Sequence, residues 1–145
     1  MKKNIMSFIT LIMVFCLSAC GSTNSSTSGK SSNNLVSLFQ NNNIDIILKG
    51  CDTSELFGEK FSFKINDETL YAYEYSDSTE ANNDLERISD DGTSYEKENS
   101  DGTTTCTNFE WHDKAYFYSY DNFIILYVGS DKDLDNELSK FLSKK

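Results

Sequence analysis

Basic residues are scarce in this chain, histidine is nearly absent and proline is missing altogether: 13 Lys and Arg stand against 23 Asp and Glu, with one His and no Pro. The formal charge of −10 excludes a nucleic-acid binder, because neutralising phosphates takes clustered Lys and Arg. One His leaves no His-rich metal site. No apolar run reaches the roughly 20 residues that a membrane-spanning helix requires. At 145 residues the chain has the length of about one domain, so a multidomain enzyme is excluded as well.

What the N-terminus does have is an address. Met1-Lys2-Lys3-Asn4 is a short basic region, and Ile5 to Leu17 is an almost unbroken apolar run of signal-peptide size. It ends in Leu17-Ser18-Ala19-Cys20-Gly21, which resembles the lipobox of bacterial lipoproteins. That resemblance implies cleavage after residue 19 and a diacylglyceryl group on the thiol of Cys20. Lys2 and Lys3, the only charges in 1–19, leave with the signal peptide, so the mature chain is still more acidic than −10. Anionic headgroups repel such a surface, and the membrane contact is then the lipid on Cys20, whose two acyl chains suffice for stable anchoring. The implied location is the cell membrane, facing the extracytoplasmic side. Residues 20–34, rich in Ser and Asn without a large apolar side chain, read as a flexible tether spanning on the order of 20 Å.

Residues 35–145 read as a single α+β domain. Leu35, Val36, Leu38 and Phe39 cluster on one side of a short helix, capped by Ser32 or Asn34 and stopped by Asn41-Asn42-Asn43. Ile44–Leu48 reads as a strand ending at Gly50-Cys51, and 61–75 as a hairpin turning at Asn66-Asp67-Glu68. Asp77 and Glu80 open a helix over 78–89 with Ala81, Leu85 and Ile88 on one face. The acidic, nearly core-free stretch 91–104 reads as a mobile loop. Cys106–Trp111, Ala115–Tyr120 and Phe123–Val128 read as three further strands. Ser130 and Asp133 open a last helix with Leu134, Leu138, Phe141 and Leu142 on one face, and Lys140, Lys144 and Lys145 suit its C-terminal end. The order α-β-β-β-α-β-β-β-α predicts a two-layer sandwich, mainly antiparallel, with helices on one face.

The resemblance to small bacterial lipoproteins widens over 60–145. Its marks are Ile65-Asn66-Asp67-Glu68, Glu74-Tyr75, Ser89-Asp90-Asp91-Gly92, Trp111 with Phe117-Tyr118, and Leu126-Tyr127-Val128-Gly129 before the last helix. The chain departs at 112–116, where those proteins tend to carry Pro-Pro-His. The resemblance implies fold and location and carries no activity.

Candidate chemistry is thin. With Cys16 removed and Cys20 acylated, Cys51 and Cys106 remain, an even pair in an exported domain, for which a disulfide is the default. The alternatives are free thiols or a redox pair, although no Cys-x-x-Cys spacing is present. His112 falls in a turn with no nucleophile motif around it. Asp131-x-Asp133-x-Asp135 resembles the start of a calcium loop, but Asn136 and Leu142 stand where Gly and Glu are needed, and helix capping explains the acids better. Asp90, Asp91, Glu96, Glu98 and Asp101 are left open as a weak divalent-ion site. The tyrosines are the best lead. Tyr71, Tyr73 and Tyr75 share one face of a strand, and Tyr116, Tyr118 and Tyr120 one face of another. A sheet covered on one side leaves its other face to water, so one set is a candidate aromatic binding surface, against the alternative of ordinary sheet packing. The expectation is a non-enzymatic binding module with no cofactor and no metal, whose partner is another envelope or secreted protein. Its rivals are a small-ligand or cell-wall glycan receptor and an enzyme with a thiol-based site.

Overall fold

The computed structural model describes residues 28–145. The expected signal peptide, Cys16, the expected lipidation site Cys20 and the first part of the expected tether lie outside the described residues. Among the described residues no helix is long and apolar enough to cross a membrane.

The first helix, α1 (Ser28–Asn41), begins ahead of Leu35 and takes in residues that read as tether. Ser32 is buried together with Leu35 and Phe39, so the polar residues before Leu35 extend a helix that apolar contacts further along hold in place. Its end is as the sequence implies. Asn43 adopts φ 60°, a left-handed conformation that Asn tolerates, and Asn42 Nδ2 donates to the Leu38 carbonyl at 2.9 Å.

The α+β class, the antiparallel pairing and the order of elements agree with the sequence. Three strands follow α1: β1 (Ile46–Asp52), β2 (Glu59–Ile65) and β3 (Glu68–Glu74). Then come α2 (Ser78–Glu86), the strands β4 (Ser94–Glu98), β5 (Thr104–Asn108), β6 (Ala115–Tyr120) and β7 (Phe123–Val128), α3 (Lys132–Leu138) and the two-residue β8 (Ser143–Lys144). Six strands form one sheet in the order β1-β2-β3-β7-β6-β8, while β4 and β5 form a separate hairpin. β7 lies inside the sheet, and all six of its residues are buried. A continuous apolar run is what a strand covered on both faces requires.

Both faces of the six-stranded sheet are covered. Leu35, Phe39, Leu134 and Leu138 pack with Phe63, Leu70, Ile125 and Tyr127, which places α1 and α3 together on one face. On the other face Ala81 of α2 and Tyr95 of β4 pack with Tyr73, Phe117, Ile124 and Leu126. The single helix-covered face expected from the sequence therefore holds for α1 and α3, whereas α2 and the β4–β5 hairpin close the opposite side.

Two local expectations change. The stretch 91–104 carries β4 and the start of β5 instead of a mobile loop. Backbone bonds hold it: Ser89 N–H to Ser94 C=O at 2.8 Å, Glu96 N–H to Arg87 C=O at 3.0 Å and Phe109 N–H to Thr93 C=O at 2.7 Å. Pairing of this kind leaves no apolar pattern to read, because only Tyr95 of β4 is buried. The last helix stops at Leu138, and its N-cap is Asp131, which accepts from the N–H groups of Asp133 and Leu134. The chain beyond turns back so that Lys144 and Ser143 pair with Tyr118 and Ser119 of β6. Lys144 thus reaches Asp135, and Lys145 donates to the carbonyls of Leu85 and Ile88 at the end of α2.

Candidate functional site

Aspartate is costly to bury unless its charge is paired and hydrogen-bonded. Asp84 is 2% exposed, on the helix face that also buries Ala81. Four donors meet its carboxylate. Tyr75 Oη and Tyr95 Oη each donate at 2.5 Å, the Phe57 N–H at 3.1 Å and Arg87 Nη1 at 3.3 Å. One carboxylate therefore ties α2 to the residue after β3, to β4 and to the segment between β1 and β2. Gly58 belongs to the arrangement, since a Cβ there would meet the Tyr75 ring at 2.8 Å. Burial, followed by the hydrogen bond to Asp84, pushes both phenols far above the ordinary tyrosine range. They are therefore fixed donors and supply no phenolate base or nucleophile near neutral pH.

Around this anchor the surface is concave. A cavity of about 380 Å³ is lined by Phe57, Tyr75, Glu80, Asn83, Asp84 and Arg87. It adjoins a larger one of about 710 Å³ between α2 and the hairpin, and Asn83 and Arg87 line both. The larger part carries Glu86, Asp90, Glu96 and Glu98. Phe57 stands at the opposite end, 54% exposed. Lys97 Nζ lies 4.3 Å from its ring centroid and the Arg87 guanidinium 5.4 Å, so the ring already attracts cations. The groove thus joins an exposed aromatic ring to an acidic wall, both mounted on a hydrogen-bonded anchor.

The residues singled out from the sequence go elsewhere. Tyr73 and Tyr118 are buried and donate to Glu55 at 3.1 Å and to Asp135 at 2.5 Å. Tyr75 belongs to the Asp84 anchor, and Tyr116 stacks on Tyr127 with centroids 5.7 Å apart. Tyr71 is half-buried beneath Lys60, and Tyr120 alone of the six is exposed. Tyr73 and Tyr75 pack on the α2 face and Tyr116 and Tyr118 on the α1 face, so they form no common aromatic surface. Covering both faces of the sheet is what removes it.

Cys51 and Cys106 are free and exposed, on β1 and β5 of different sheets, and the expected disulfide is not formed. Partial burial, then the charge of Glu59, pushes the Cys51 thiol up. His112 is exposed between β5 and β6. The loop acids shape turns: Asp91 accepts from Ser89 and Thr93, bonds that hold its carboxyl at about 2, and Asp101 accepts from Thr103. Among the described residues no group of three or more His, Cys, Asp and Glu is placed to hold a metal ion.

Asp84, Tyr95, Phe57 and Arg87 were missed at the level of sequence. One signal was available for the first: Asp84 lies three residues after Ala81 and four before Ile88, an acid inside an apolar stripe. No protein family, no curated protein and no solved structure matches the chain.

Proposed function

We propose that the chain is a membrane-anchored extracytoplasmic lipoprotein that works as a non-enzymatic binding module through the groove between α2 and the β4–β5 hairpin. Support for the anchor comes from Leu17-Ser18-Ala19-Cys20-Gly21 behind a basic and then an apolar segment. The observation that carries the binding reading is Phe57, an exposed ring at the end of a groove whose walls the Asp84 carboxylate holds together. Large exposed aromatics beside a preformed concavity are typical of sites for partners. The partner is another envelope or secreted protein, reached from a lipid on Cys20.

The test is an in-cell crosslink of the tagged, anchored protein followed by mass spectrometry, with Cys20→Ser and Phe57→Ser as separate variants. One envelope protein enriched by the parent and lost in both variants supports the reading. Enrichment untouched by Phe57→Ser overturns the groove, and untouched by Cys20→Ser overturns the anchor. A small ligand or cell-wall glycan in the groove is the alternative outcome. Calorimetric titration with wall fragments against the same Phe57→Ser variant detects it.

A further inference from the structure

The β4–β5 hairpin has one covered edge and one open edge. Phe109 N–H donates to Thr93 C=O at 2.7 Å, and Asn99 N–H donates to Thr103 C=O at 2.8 Å. The register between those bonds runs without a break from Ser94↔Asn108 to Glu98↔Thr104. Antiparallel pairs alternate between bonded and non-bonded, so Thr105 and Thr107 bond to β4, while Thr104, Cys106 and Asn108 turn their N–H and C=O groups outward. On β4 the outward N–H of Glu96 is used, donating to Arg87 C=O at 3.0 Å. On β5 the outward backbone groups of Thr104, Cys106 and Asn108 have no partner among the described residues.

All five residues of β5 are exposed. Proteins usually protect such an edge with charge, proline or a bulge. Thr104-Thr105-Cys106-Thr107-Asn108 has no charge and no proline, and its register shows no bulge. Cys106 is its middle residue, a free thiol.

We propose that β5 is the edge on which two copies of this chain pair, antiparallel about a two-fold axis through Cys106, and that a Cys106–Cys106 disulfide locks the pair. Antiparallel pairing about that axis sets Thr104 against Asn108 of the second copy, Thr105 against its Thr107 and Cys106 against its own counterpart. No like charges meet along the strand, although the chain as a whole carries −10. An outward-bonding pair has Cα atoms about 5.5 Å apart, inside the roughly 4.4–6.8 Å that a disulfide spans. A second copy is favoured over a foreign strand because this register is self-complementary at every position. Contact along so short a strand falls well below the roughly 1,200 Å² of a stable interface, so the reduced pair is transient and the covalent bond retains it. In that bond two thiols lose two protons and two electrons to a disulfide oxidant. With oxidised glutathione one protein S–S bond forms and two glutathione thiols are released. Persistence of the bond in cells rests on the extracytoplasmic reading above; its formation with glutathione does not.

The experiment uses the full chain in detergent with Cys16→Ser and Cys20→Ser, leaving Cys51 and Cys106 as the only thiols. It is equilibrated with oxidised glutathione, followed on non-reducing gels, and the linked peptides are identified by mass spectrometry. The expected product is a dimer joined through Cys106 alone, unaffected by Cys51→Ser and abolished by Cys106→Ser. The double change Thr105→Lys with Thr107→Lys sets Lys against Lys across the axis. It should slow dimer formation about tenfold while the reaction of Cys106 with Ellman's reagent keeps its rate. Dimers joined through Cys51 and Cys106 at equal rates, no slowing by the lysines, or no dimer at all would overturn the proposal. None of these results bears on Phe57 or on the anchor.

Discussion

Replacing Asp84 by Ala should be among the most damaging single substitutions in the domain. The change removes the acceptor for two buried phenols and one backbone N–H, since Tyr75 is 7% exposed and Tyr95 3%. A buried donor left without a partner costs about 1–3 kcal/mol. The three losses are coupled through one carboxylate and partly relieved by water, so about 3–5 kcal/mol is expected. The Arg87 side chain is 38% exposed, so solvent screens its pairing and it adds little to that figure. Against a typical total of about 5–15 kcal/mol this is a large share, and the melting temperature should fall by roughly 10–20 °C. Urea unfolding followed by far-UV circular dichroism measures the effect, with the slope of the transition unchanged if only the folded state is weakened. Asp84→Asn, which keeps one acceptor oxygen and the shape, should lose about 1–2 kcal/mol. In the Tyr75→Phe/Tyr95→Phe background the further loss from Asp84→Ala should shrink by more than half, because the unsatisfied hydroxyls are gone. A loss below about 1 kcal/mol for Asp84→Ala in the parent would refute the claim that this carboxylate organises the groove.

Other consequences follow from the same contacts. Tyr73, Tyr75, Tyr95 and Tyr118 are held protonated chiefly by burial and then by their carboxylate partners. Above about pH 10 the unfolded chain releases these protons and the folded chain does not, so stability falls as pH rises. Phenolate absorbance from these four should appear together with loss of circular dichroism, and appearance well before unfolding would contradict the geometry. Burial works to raise the Asp135 pKa, but hydrogen bonds from Lys144 and Tyr118 outweigh it and leave the group lowered. Its stabilisation is present above the ordinary Asp value near 4 and is lost as pH falls through the folded value; acid unfolding of Asp135→Asn should therefore show a shallower dependence on pH. Gly58→Ala should cost about 1–3 kcal/mol by pressing on the Tyr75 ring, measurable by thermal melting. Phe57→Ser should leave the melting temperature nearly unchanged, because the ring is 54% exposed.

The sequence by itself determined the α+β class and most strands. Signals for these are local: alternation along Phe61–Ile65, and Asn66 and Asp121 at turns where φ is 51° and 50°. Only the tertiary structure decided which face each strand shows to which helix. Alternation marks Tyr71, Tyr73 and Tyr75 as sharing a side, but it does not say that α2 and the β4–β5 hairpin cover that side. The hairpin itself escaped notice because backbone pairing, not apolar periodicity, holds it. The Asp84 anchor escaped for a related reason. A buried charge is tolerable only when partners from distant parts of the chain converge on it, and Phe57, Tyr75 and Tyr95 lie 27, 9 and 11 residues away. Local patterning fixes where strands and helices form, whereas long-range satisfaction of one carboxylate decides where the groove is.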